Sequence, residues 1–150
     1  MIKYVDYSIV FQEVPDEISL ALEISGCPHL CKNCHSPHLR EDIGVELTCN
    51  EIDKLIVKNK HISCICFMGG DNRHQEIIAL ADYIHSKNLL VAMYSGDDIF
   101  DEELSKHLDY YKVGSYQEDK GPLNKITTNQ VMYKMKPNKQ DITYRFRKGE

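Results

Sequence analysis

The chain has 150 residues, 42% of them hydrophobic, and a formal net charge of −5. That length suits one domain spanning residues 1–150, and the acidic balance argues against a non-specific nucleic-acid binder, which needs a basic surface. No apolar run approaches the roughly 20 residues of a membrane span, and Met1 to Val10 lacks the pattern of a signal peptide, so a cytoplasmic protein with no membrane partner is expected.

The first legible element is Ile18 to Ser25, whose alternation predicts a strand. It runs into Gly26 and then a run of cysteines, which therefore follow a strand end. Pro37 discourages regular structure over His35 to Gly44. Thr48 and Glu51 have capping-box spacing. Ile52, Leu55 and Ile56 follow at helical spacing, predicting a helix from Cys49 to Asn59. Ile62 to Met68 is apolar on both faces, as a buried parallel strand should be, and it ends at Gly69-Gly70-Asp71. A helix is predicted over His74 to Lys87, a strand over Leu89 to Tyr94, a short helix over Asp101 to His107 and a strand over Tyr110 to Gly114. A last strand is expected at Ile142 to Phe146. The alternation of strands and helices predicts βαβ units and a parallel sheet. In such sheets ligands gather at the carboxyl edge of the strands. Four loops then share one edge: Gly26 to Cys34, Gly69 to Asp71, Tyr94 to Gly96, and Gly114 onward.

Six cysteines need a reason in a reducing compartment, where disulfides are rare. Cys27, Cys31 and Cys34 fall on one loop with spacing C-x₃-C-x₂-C. Thiolates suit iron–sulfur clusters and zinc. A zinc site would want a fourth ligand from His29, His35, His38 or Cys49. A cluster held by three thiolates would keep one iron open for a small molecule. Cys64 and Cys66 alternate along one strand and read as packed thiols. The histidines at 61, 74, 85 and 107 read as ordinary helix or loop positions.

On these residues the sequence resembles the radical S-adenosylmethionine superfamily. The cysteine spacing matches its signature, and Gly69-Gly70-Asp71 resembles its second motif, in which glycines let backbone approach the ligand and a carboxylate meets an ammonium. Within the superfamily the chain most resembles the activating proteins of anaerobic ribonucleoside-triphosphate reductase. The short length, the loop Ser25 to Pro37, Tyr94-Ser95-Gly96 and Thr127-Thr128-Asn129-Gln130 carry that likeness. Many members have an aromatic residue before the third cysteine; here Asn33 stands, as this activase family tolerates.

The resemblance implies a small, incomplete (βα) barrel with a parallel sheet, of trimmed radical-SAM type. It implies a 4Fe–4S cluster on Cys27, Cys31 and Cys34, and S-adenosylmethionine contacted by Asn33, Cys34, His35, Gly69, Gly70, Asp71, Tyr94 and Ser95. Asn129 and Gln130 would face the cofactor or the partner. The implied reaction removes a hydrogen atom from a glycine of the reductase and leaves a glycyl radical. The implied partners are that reductase and a one-electron donor of flavodoxin or ferredoxin type. The alternatives are an activase of a different glycyl radical enzyme and a zinc-binding interaction module.

Overall fold

A computed structural model describes residues 2–26 and 43–146. The chain begins with β1 (Lys3–Val10), which pairs antiparallel with β2 (Ser19–Ile24). A two-residue strand, β3 (Val45–Glu46), adds to the outer side of β1. Helix α1 (Cys49–Lys58) starts where expected, with the Thr48 hydroxyl accepting from the Glu51 amide at 3.1 Å. Only half of the box forms. The Glu51 carboxylate is taken by the Tyr4 hydroxyl at 2.6 Å instead.

The βα units follow as β4 (Cys64–Met68), α2 (His74–His85), β5 (Leu90–Tyr94), α3 (Glu102–Ser105) and β6 (Tyr110–Val113). Strands β2, β4, β5 and β6 lie parallel and adjacent. The chain then turns back. Strand β7 (Val131–Lys134) is antiparallel to β6, and β8 (Gln140–Asp141) is antiparallel to β7. The sheet is thus mixed, with order β3-β1-β2-β4-β5-β6-β7-β8. The expected parallel sheet is its centre, and antiparallel strands stand on both flanks.

The strand expected at Ile142 to Phe146 does not form: Thr143–Phe146 is a 3-10 turn. Asp141 explains it. Its carboxylate accepts from the Thr143 amide at 2.9 Å and from the Thr143 hydroxyl at 2.6 Å. A side chain that captures the backbone two residues on makes a turn rather than a ladder. The Thr143 hydroxyl then accepts from the Met132 amide at 2.9 Å, replacing the ladder partner a strand would have supplied.

Alternation divides the sheet into two different faces. One face carries the lateral row Leu22, Phe67, Met93 and Tyr111, in register across the four parallel strands and fully buried. Ile52, Ile77, Ala81, Ile84 and Leu104 from the helices pack against it. The other face carries Ala21, Cys66, Ala92 and Tyr110 in the neighbouring register. Small side chains there leave room for Val14, Leu123 and Ile142 to pack over the strands. The helices cover one face and irregular chain covers the other. Among the described residues, no helix is long and apolar enough to cross a membrane.

Candidate iron–sulfur and ligand site

The parallel strands deliver their ends to one edge. After β4 the backbone turns through Gly69 (φ +117°) and Gly70 (φ +96°), in the region that L side chains avoid. Space matters as much as torsion. A Cβ on Gly69 would stand 3.2 Å from the Ile24 carbonyl oxygen, and one on Gly70 would stand 3.0 Å from Ile77 Cδ1. Ile24 is the last residue of β2. The Gly-Gly turn therefore lies against the place where the chain leaves β2 for Ser25 and Gly26. Cys27, Cys31, Asn33, Cys34 and His35 come next in sequence and lie outside the described residues.

Asp71 is held from two sides. The Ser95 hydroxyl donates to its Oδ1 at 2.5 Å, and the Gly96 amide donates to its Oδ2 at 2.9 Å. Ser95 is fully buried, and its oxygen also accepts from the Asp97 amide at 3.0 Å. The next strand end joins the same lattice. Lys112, buried on β6, sends its ammonium to the carbonyls of Ser95 at 2.9 Å and Gly114 at 2.8 Å. The Gly114 amide donates to the Asp97 carbonyl at 2.7 Å. Charged donors make the stronger hydrogen bonds, so Lys112 is the clasp between β5 and β6.

A cleft of about 710 Å³ opens beside this edge on the sheet face away from the helices, with Tyr94, Lys112 and Gln130 among its walls. Its size falls in the range of small-molecule sites. The Tyr94 hydroxyl donates to the Glu13 carbonyl at 2.5 Å, so the ring is fixed by the segment after β1. Burial raises the Tyr94 phenol far above its ordinary value and keeps it neutral. The Asn129 amide donates to the Ser115 carbonyl at 3.0 Å, and its buried oxygen has no hydrogen-bond donor among the described residues.

The 4Fe-4S single cluster domain family matches residues 18–138. The chain belongs to this family. No curated protein and no solved structure matches it. The matched region takes in the cysteine loop, Gly69 to Asp71, Tyr94-Ser95 and Asn129-Gln130.

In this iron–sulfur protein the described thiols are placed for packing. Cys64 and Cys66 are fully buried on β4. Burial pushes the Cys64 thiol up to about 12 and Cys66 well above its ordinary value. A metal ligand must be a thiolate, and both sites oppose one. Cys49 is exposed in the first turn of α1. Among the described residues, no cysteine belongs to a group of side chains close enough to share a metal.

Four of the sequence-derived positions come together: Gly69 and Gly70 against β2, and Asp71 bonded to Ser95. Tyr94 adjoins them but faces the cleft. His74, read as an ordinary helix position, presents Nδ1 to Asp101 at 2.6 Å, with Nε2 3.9 Å from Asp97. Nothing in its local sequence signals this, because Asp97 and Asp101 reach it only through the β5 crossover.

Proposed function

We propose that this chain is a radical S-adenosylmethionine enzyme that activates anaerobic ribonucleoside-triphosphate reductase. The observation that carries the reading is the strand edge itself. A Gly-Gly-Asp turn packs against the end of β2, from which the cysteine loop departs, and its carboxylate is oriented by Ser95 and Gly96. A single 4Fe–4S cluster belongs to the family. Cys27, Cys31 and Cys34 suit it by chemistry, being three soft donors on one loop, and the described thiols are buried neutral or exposed alone.

When bound, the cluster and S-adenosylmethionine together supply a carbon-centred radical able to take a hydrogen atom from glycine. The chain's own residues position and shield. Asp71, aimed by two donors, would hold the cofactor's ammonium. Gly69 and Gly70 would let the turn that carries Asp71 pack against Ile24 and Ile77, where a Cβ has no room. Asn33, Cys34 and His35 would flank its adenine, and Tyr94 would wall the cleft. No general base is called for, since the transferred particle is a hydrogen atom. Proximity is the requirement. A sheet with helices on one face and a cleft on the other suits a trimmed (βα) barrel whose open side admits a loop of the reductase.

The test is anaerobic. The reconstituted protein, reduced in the presence of S-adenosylmethionine, should form 5′-deoxyadenosine. Adding the reductase should yield a glycyl radical in the electron paramagnetic resonance spectrum. A colourless protein holding stoichiometric zinc, or a reduced cluster that leaves S-adenosylmethionine intact, would overturn the reading. Cleavage with no radical on this reductase would move the assignment to another glycyl radical enzyme.

A further inference from the structure

Among the described residues, one group of side chains has the composition of a metal site. Asp71, His74 and Asp97 each offer one ligand atom, and those atoms lie within 4.8 Å of one another. They come from three different places: the turn after β4, the first residue of α2 and the turn after β5. A hollow of about 380 Å³ runs along Asp71 to Glu76.

The histidine distinguishes this group from a chance gathering of acids. Its Nδ1 is 2.6 Å from Asp101, which fixes the ring and favours a proton on that nitrogen. A carboxylate behind a ligating imidazole is the usual support of a metal-bound histidine, since it sets the tautomer and raises ligand basicity. The opposite nitrogen, Nε2, is shielded from solvent and has no hydrogen-bond partner among the described residues. It faces Asp97 at 3.9 Å, too long for a hydrogen bond. A buried polar atom without a partner is costly, and a cation between Nε2 and the carboxylates removes that cost. Carboxylate oxygens and an imidazole nitrogen are also the donor types that a first-row dication takes.

We propose that Asp71, His74 and Asp97 bind a divalent first-row transition ion, with Asp101 positioning His74. Two carboxylates and an imidazole suit Mn²⁺, Fe²⁺ or Zn²⁺. Ligand atoms on one ion at about 2.1 Å stand up to about 4.2 Å apart, so the widest pair closes by less than an ångström. Ser95 and Gly96 each donate to one oxygen of Asp71 and fix the plane of its carboxylate. The group shares Asp71 with the proposed S-adenosylmethionine site, so the ion is titrated with that cofactor absent.

The experiment titrates Mn²⁺ into the full chain with its cluster oxidised, without S-adenosylmethionine, and follows loss of the free Mn²⁺ signal by electron paramagnetic resonance. Hard Mn²⁺ discriminates against the thiols. One equivalent should bind, and His74→Gln and Asp97→Asn should each weaken binding at least tenfold. His107→Gln should leave it unchanged, since His107 also pairs with an aspartate, Asp82 at 2.8 Å, but in a two-residue contact. Circular dichroism of each variant separates lost binding from lost fold, and the half-buried Asp97 tolerates its change best. Absence of Mn²⁺ binding, or binding indifferent to both substitutions, overturns the proposal and leaves His74 as a structural partner of Asp101.

Discussion

Ser95 Oγ donates to Asp71 Oδ1 at 2.5 Å, joining the turn after β4 to the turn after β5. Asp71→Asn should weaken S-adenosylmethionine binding about tenfold or more, because a hydrogen bond to a charged group contributes about 1.5–3 kcal/mol. Ser95→Ala leaves the carboxylate in place but unaimed, so its effect should be smaller. The double variant should cost less than the sum, as expected of residues in one network. Calorimetric titration of the four proteins checks this. Strict additivity would mean that Ser95 does not act through Asp71.

The six cysteines should divide into two groups. Substituting Cys27, Cys31 or Cys34 with alanine should abolish the visible iron–sulfur absorbance. Substituting Cys49, Cys64 or Cys66 should preserve it, since these are exposed in a helix or buried as neutral thiols. Iodoacetamide at pH 8 should label Cys49 in the folded protein and spare Cys64 and Cys66. Iron analysis and mass spectrometry read both outcomes. Cluster loss on Cys66→Ala with the fold intact would contradict the assignment.

The βα centre of this fold was legible because its signals are local. Ile62 to Met68 and Leu89 to Tyr94 are apolar on both faces, as only doubly covered strands are, and they became β4 and β5. The flanks were not legible. In β1, Tyr4 is buried while Asp6 and Ser8 look outward, a pattern that half-buried strands share with much exposed chain. Strand β7 declares itself only by pairing with β6. At the site, Gly-Gly-Asp stood out as a motif, and its link to Ser95 followed from two strand ends meeting. His74 did not stand out, since its three aspartates lie on other turns. Lys112 was hidden for a different reason: a lysine in a strand reads as solvated, and its burial is explained by distant groups such as the carbonyls of Ser95 and Gly114.

Lys112→Met therefore tests the clasp. Methionine keeps the bulk but takes the charged donor from two buried carbonyls, while the Gln130 amide stays 3.5 Å from that of Gly114. The expected loss is about 2 kcal/mol of stability, seen as a fall in Tm of roughly 5 °C for a chain of this size. Arginine should not rescue it, because the planar fork does not fit the ammonium's place between two strand ends. An unchanged Tm would show that water or a neighbour replaces the ammonium.

Stability should fall on the alkaline side. Burial holds the Cys64 thiol at about 12 against an ordinary 9.0, and the Tyr4, Tyr110 and Tyr111 phenols at about 12 against 10.0. In each case the folded chain keeps a proton that the unfolded chain releases earlier. The contribution of these groups is complete below pH about 9, declines as pH rises and is lost through about 12. Each such group adds a slope of at most about 1.4 kcal/mol per pH unit within its window. Cys64 begins to act first, because its unfolded value is the lowest. Denaturant unfolding at pH 8, 9, 10 and 11 should show this decline, with a shallower slope between 9 and 10 in Cys64→Ala. Comparing the two proteins side by side cancels any shared effect of pH on the cluster. Identical slopes would mean that Cys64 ionises as readily in the folded chain as in the unfolded one.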